Sequence, residues 1–298
     1  MTQDTQTNQN QSGTNFVLRS EPRIASFSEG VNWFTDGFKL FAKSPLAWMV
    51  AFVLWTILNF ILVLVLFTAS KVLWPIFLAG FMVGSYQLDK YNIFPYDSLF
   101  SGFTHRGKNL IMLGLYYFAA FIVVQYFSQW VTELFIGDLS ILSDQKKLSS
   151  LYTANLTGQI TPEQFEELLL VLPQLLFVSL LLLSLLLPVY MALWFAPALV
   201  AINGVSPINA FRLSFIACLR NMMSFLGYGF ITFAAIFIAA IPMGLGLFIV
   251  MPVIFASIYV SYKDIFIDES GAADSGSGGS NSDTSSKPDK KNKIGIEV

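Results

Sequence analysis

From Met222 to Tyr262 the chain carries no charged residue. That run limits the fold more than any other feature. A helix needs about 20 apolar residues to cross a bilayer, and this stretch holds enough for two crossings. Pro242, Gly244 and Gly246 interrupt it in the middle. It therefore reads as two spans, 222–241 and 243–262, joined by a tight turn.

Other stretches fit the same frame. Ser44-Pro45 opens a second uncharged run, Leu46 to Ser70. Ser is a good N-cap, and Pro is tolerated at the first helical position because its missing N–H would have no partner there. Lys71 then marks a turn, and Val72 to Leu88 reads as the return span. Asn109 to Val131 is a third span. Leu168 to Ile202 is longer than one upright span needs. It reads either as one helix kinked near Pro173 or Pro188 and projecting from the membrane, or as two segments. Asn203-Gly204 closes it. Composition agrees: 12% of residues are charged, where a soluble domain carries about 25%. The expected fold class is all-α, a polytopic membrane protein of six transmembrane helices. The spans are about 46–70, 72–88, 109–131, 173–202, 222–241 and 243–262, within a membrane domain 25–266. Disordered tails, 1–24 and 267–298, flank it, and 132–161 forms a long polar loop. Ile294 to Val298 is a candidate linear motif in the second tail.

Two segments are too polar to span. Ser26-Phe27-Ser28-Glu29 matches a capping box. Behind it Phe27, Val31, Phe34, Phe38 and Phe41 recur at helical spacing, giving an amphipathic helix expected in the membrane interface. Residues 206–220, with Phe211, Phe215 and Cys218 on one side, form a second. Lys and Arg concentrate in cytoplasmic loops. On the six-span scheme 14 of the 17 basic residues fall on one side, and Lys71, Lys146 and Lys147 on the other. Both termini are therefore expected inside and 132–161 outside.

The chain also repeats itself. A proline, Val or Ile, two large apolar residues and Ala recur at Pro75–Ala79, Pro188–Ala192 and Pro252–Ala256. Before spans one, three and five stands a Phe, then a basic residue and Ser or Asn: Phe38…Lys43-Ser44, Phe103…Lys108-Asn109 and Phe215…Arg220-Asn221. The Phe suits the interface, the cation the headgroups, and Ser or Asn the helix start. Both patterns shift by the same offset between their first and last copies. The reading is three repeats, each an interfacial helix plus a helical hairpin.

Trp74-Pro75 with Ala79-Gly80-Phe81, and Leu99-Phe100-Ser101-Gly102-Phe103 leading into span three, resemble a family of multi-pass proteobacterial inner-membrane proteins of unknown function. The likeness covers roughly 25–266. More distantly the chain looks like the membrane domain attached to some bacterial glycerophosphodiester phosphodiesterases, but it lacks their soluble hydrolase domain. The resemblance implies an inner-membrane location and no catalytic residues.

Chemistry is sparse. One cysteine and one histidine, His105, exclude a disulfide and a histidine metal cluster. No phosphate-binding glycine loop is present, and Gly244-Leu245-Gly246 lies in an apolar turn. Asn155-Leu156-Thr157 matches only the short glycosylation pattern. A net charge of −2 leaves no basic footprint for nucleic acid. On these span limits no ionisable side chain sits in a span core, where one would mark a functional site. The polar residues within spans are Thr56, Asn59, Gln125, Ser179, Ser184 and Thr232; Asn59 and Gln125 are candidates to line a solute path. Catalytic, cofactor and metal residues are all expected to be none. The expected function is non-enzymatic: organising the envelope or binding lipid or a partner protein. Lys43, Lys108 and Arg220 would face anionic headgroups. A transporter or channel for a small or amphipathic solute is the alternative.

Overall fold

The computed structural model describes residues 17–104, 106–136 and 162–268. The expectations for 1–16, His105, 137–161 and 269–298 lie outside the described residues. The described helices belong to one compact unit, 18–267; of the second, 1–17 with 268–298, only Val17 and Asp268 are described. Apart from two-residue strands, β1 (Val17–Leu18) and β2 (Ile267–Asp268), the described regular structure is helical.

Helix α1 (Phe27–Ala42) starts at the expected capping box. The Ser26 N–H donates to Glu29 Oε2 at 2.6 Å, and the Glu29 N–H donates back to Ser26 Oγ. Its buried face differs from the expected Phe stripe. Gly30, Trp33, Gly37, Leu40 and Phe41 are buried, while Phe27 and Phe38 are about half exposed. Glycines let two helix backbones approach closely, so the small face turns inward and the rings flank it.

Helix α2 (Pro45–Val65) has Pro in its first turn. It ends at Leu66, and α3 (Phe67–Tyr91) begins at once. The sequence puts this turn at Lys71; the structure places Lys71 inside α3. Nothing in an uninterrupted apolar run marks Leu66, and a lone cation is no helix breaker. A short 3₁₀ turn (Tyr96–Phe100) and α4 (Ser101–Thr104) lead into α5 (Gly107–Ile136). Asn109 is thus inside a helix rather than capping it.

Helix α6 (Pro162–Trp194) runs unbroken through both Pro173 and Pro188. The interruption lies at Phe195, before α7 (Ala196–Ala198) and a π-helical turn (Leu199–Asn203). Pro197 supplies the cause, since it has no N–H and its ring crowds the carbonyl four residues back. The freed Phe195 N–H donates to Ser214 Oγ at 2.9 Å. Gly204, at φ 74°, closes the segment as expected. Helices α8 (Pro207–Arg220), α9 (Met222–Ala240) and α10 (Leu247–Phe266) follow, with the α9–α10 turn at the expected Pro/Gly cluster.

Five helices among the described residues are long and apolar enough to cross a membrane: Pro45–Val65, Gly107–Leu134, Leu172–Asn203, Met222–Ala240 and Leu247–Phe266. The expected second span, 72–88, falls on α3, which is not among them. That helix carries Ser70, Lys71, Asp89 and Lys90, and is buried from Ile76 to Met82. Aromatic rings join it to its neighbours: Phe81 stacks on Phe255 of α10 at 4.4 Å, and Trp55 of α2 meets Phe255 at 5.7 Å. Outward faces of α2 (Val50, Ile57, Phe60, Leu64) and α9 (Leu226, Phe230, Phe233, Phe237) are exposed and apolar, as lipid-facing surfaces are.

Candidate central cavity

A cavity of about 450 Å³ lies where the three helices bearing the proline phrases converge. Helix α3 contributes Ser70, Lys71, Trp74 and Leu78; α6 contributes Tyr190, Leu193 and Trp194; α10 contributes Phe255 and Ile258. Asn59 and Val63 of α2 and Tyr117 of α5 complete the wall. Of the alanines ending the phrases, Ala79 and Ala256 are fully buried and Ala192 is half-buried.

The walls are apolar and aromatic, with few polar groups. Lys71 Nζ lies 5.3 Å from the centroid of Phe121, a cation–π distance. Tyr117 and Tyr190 pack ring to ring at 6.5 Å, and Trp55 meets Trp74 edge-on at 5.4 Å. The Trp194 Nε1 is buried and has no hydrogen-bond partner among the described residues. Among the described residues no carboxylate lines the cavity.

The sequence candidates divide sharply. Asn59 lines the cavity; Gln125 is exposed on α5 and does not. Thr56 donates to the Phe52 carbonyl of its own helix at 2.8 Å. Ser179 and Ser184 are exposed on α6, and Thr232 is half-buried on α9. Lys71 is the residue that sequence reasoning missed, because it stood as a turn marker. Its signal was present: one cation between apolar stretches, followed three residues later by Trp74.

A second polar zone lies away from the cavity, around the ends of α1, α9 and α10. Arg23 donates to Glu29 and Asp264, each at 2.7 Å, and the Trp33 indole N–H donates to Asp264 at 2.9 Å. Asn221 clasps the chain before α1: its Oδ1 accepts from the Ala25 N–H at 2.7 Å, and its Nδ2 donates to the Arg23 carbonyl at 2.9 Å. The Arg19 N–H also donates to the Phe266 carbonyl. Residues 18–24, expected within a disordered tail, are therefore held against the helix ends. Polar composition alone does not reveal partners supplied nearly 200 residues away. The Ser26 N–H and Arg23 together hold the Glu29 carboxyl down to about 2, and Glu29 and Asp264 push the Arg23 guanidinium above its ordinary value. Arg106 donates to the Val200 and Ala201 carbonyls at 3.1 and 3.3 Å, a cation on the last turn of a helix. Lys43 and Lys108 are exposed, but Arg220 is paired with Glu21 at 2.8 Å. The three expected headgroup cations are not equivalent.

The chain is similar to a bacterial protein of related length. That relative, described as a probable inner membrane protein of Burkholderia thailandensis, is 28% identical over 273 residues, covering 83% of this chain and 94% of its own length. No family model matches the chain, and no solved structure does.

Proposed function

We propose that this chain is a multi-pass inner-membrane protein that crosses the bilayer six times, with both termini cytoplasmic, and holds a lipid or similar amphiphile in its central cavity without chemical turnover. The observation that carries the proposal is the cavity itself, ringed by aromatic side chains and with Lys71 among its described lining residues. The sixth span is α3. Its 25 residues are about 37 Å long as a helix, enough for a hydrocarbon core of about 30 Å. It joins α2 to the short turns before α5, so a crossing α3 returns the chain to the side where α5 starts. The likeness to a probable inner membrane protein supports the location, and the distribution of basic residues supports the orientation.

The three-repeat reading has support from packing. Helix α1 packs on the hairpin α9–α10, the 3₁₀ turn and α4 pack on α3, and α8 packs on α6 and α5. Each interfacial element thus rests on the hairpin of the preceding unit, in a cycle. The residue before each repeat Phe is small and buried: Gly37, Gly102 and Ser214. Gly37 meets Ser257, Gly102 meets Ile76, and Ser214 bonds to Met191, each on the proline-bearing helix of that preceding unit. A ligand site at the meeting point of repeats is a pattern of repeat-built membrane proteins.

Two measurements test the proposal. Reporter fusions within 140–160 should read outside; a cytoplasmic signal there defeats the six-span arrangement. Native mass spectrometry after purification in mild detergent should find lipid retained. Protein stripped of lipid at once, with no uptake when lipid is added back, refutes the binding role. Asn59 in the cavity wall favours a second reading, passage of an amphipathic solute. Flux through purified protein in liposomes, lost in Asn59→Leu, would select it.

A further inference from the structure

Resting on the lipid-holding reading, we infer that the cavity recognises the acyl ester group of a bilayer lipid. The Asn59 amide donates the hydrogen bond, and the chain beyond the ester lies in the adjoining apolar groove between α5 and α6. The starting point is an amide within an uncharged span. Asn59 stands six residues before Val65, the last residue of α2, or about 9 Å along the helix axis. It is half-buried, it lines the cavity, and its side chain makes no hydrogen bond among the described residues. An amide without a partner is costly in hydrocarbon, where lipid chains cannot satisfy it. A ligand that brings an oxygen acceptor removes that cost.

The other polar groups of the wall are engaged or out of reach. Tyr117 and Tyr190 have ring centroids 6.5 Å apart and interact through their hydroxyls. Ser70 and Lys71 are likewise not free. The Trp194 Nε1 is unpartnered among the described residues, but the atom is buried, so a ligand in the cavity does not touch it. Recognition therefore falls to Asn59.

The surroundings decide which acceptor suits it. A charged one would have to leave water for a largely apolar site whose cation, Lys71, already has partners, and that desolvation is expensive. An ester carbonyl is uncharged, accepts without donating, and is joined directly to hydrocarbon. Space for that hydrocarbon is present. Tyr117 also lines an apolar groove of about 270 Å³, together with Ala120, Pro188 and Ala192. Cavity and groove share that ring as a wall, so a chain from an ester at Asn59 leads past it into the groove. Val63 lines the cavity and is 40% exposed on the outside of α2, which leaves a way out for the rest of the lipid. A volume near 450 Å³ suits one such portion rather than a whole two-chain lipid.

The experiment is native mass spectrometry of the full chain in non-ionic detergent. Equal amounts of a diester phosphatidylethanolamine and its diether analogue, with the same chain lengths, compete for the protein. Retained diester should exceed diether by about fivefold, the scale of one hydrogen bond. A phosphatidylglycerol pair should give the same ratio, and a ratio that follows the headgroup instead overturns the inference. Asn59→Leu should bring the ratio to one. Thr56→Val should leave it unchanged, because the Thr56 hydroxyl is bonded within its own helix. Ala120→Phe, which fills the groove, should lower retention of the diester lipid; unchanged retention overturns the placement of the chain. Stripped of lipid, Asn59→Leu should melt no lower than the parent, since an unpaired amide is exchanged for an apolar side chain. A lower midpoint or a failure to fold shows that the amide serves the structure, and overturns the inference. Equal retention of diester and diether by the parent, or a preference that survives Asn59→Leu, overturns it while lipid holding stands. Loss of all lipid from the parent removes both readings together.

Discussion

The contact between α1 and α9 gives the sharpest test of the packing. Gly30 is buried in α1, and a Cβ added there would fall on the Ser224 carbonyl, with the carbonyl carbon 2.6 Å and the Cα 2.9 Å away. These are backbone atoms. Ser224 is also tied to the chain before α1, because its hydroxyl donates to the Ala25 carbonyl. A rotamer change cannot relieve the overlap; one helix must shift. Gly229, also in α9, has nothing within 4 Å of its added Cβ. In both helices Ala is favoured over Gly by about 1 kcal/mol. Gly229→Ala keeps that gain alone. Gly30→Ala must also displace packed backbone, which costs about 1–3 kcal/mol or more, so the steric term offsets the gain or exceeds it. With roughly 2–4 °C of midpoint per kcal/mol for a domain of this size, Gly229→Ala should raise the thermal midpoint in detergent by a few degrees. Gly30→Ala should lie several degrees below Gly229→Ala and at or below the parent. Tryptophan fluorescence reads both, since Trp33 sits in the same contact, 5.6 Å from Phe225. A Gly30→Ala midpoint as high as that of Gly229→Ala would refute the close approach.

Three further outcomes are expected. Asp264→Asn removes a charged partner from Arg23; with Arg23 about one-third exposed (32%), the loss is only about 1 kcal/mol, but trypsin should cut after Arg23 faster than in the parent. Glu29 has a lowered carboxyl pKa, about 2 against an ordinary 4.5, so its contribution is complete above about pH 4.5 and is lost as pH falls toward 2; Glu29→Gln should flatten the midpoint over that window, and an unchanged acid slope would show that Glu29 does not set it. Ala79→Leu and Ala256→Leu should destabilise by about 1–3 kcal/mol through overpacking, and Ala192→Leu by less because it is half-buried; equal midpoints for all three would remove the distinction.

Local chemistry was legible in the chain without coordinates. The uncharged runs specify apolar helices because a bilayer-length helix needs continuous apolar residues. The Ser26–Glu29 capping box, the Pro/Gly turn between α9 and α10, and the Gly204 stop each depend on neighbours within a few residues. Long-range geometry was not legible. The turn at Leu66 lacks a breaker, so Lys71 took its place in the reading and its position beside the cavity went unseen. The break at Phe195 depends on Pro197, but the bond that makes it tolerable comes from Ser214 on another helix. Hydrophobicity ranks Phe above Gly for burial, yet Gly30 and Gly37 face inward because two backbones meet there and only the absence of a side chain permits it. The cavity is a product of tertiary structure alone. Its wall draws on α2, α3, α5, α6 and α10, and no local pattern encodes which of their many apolar residues will stop short of touching.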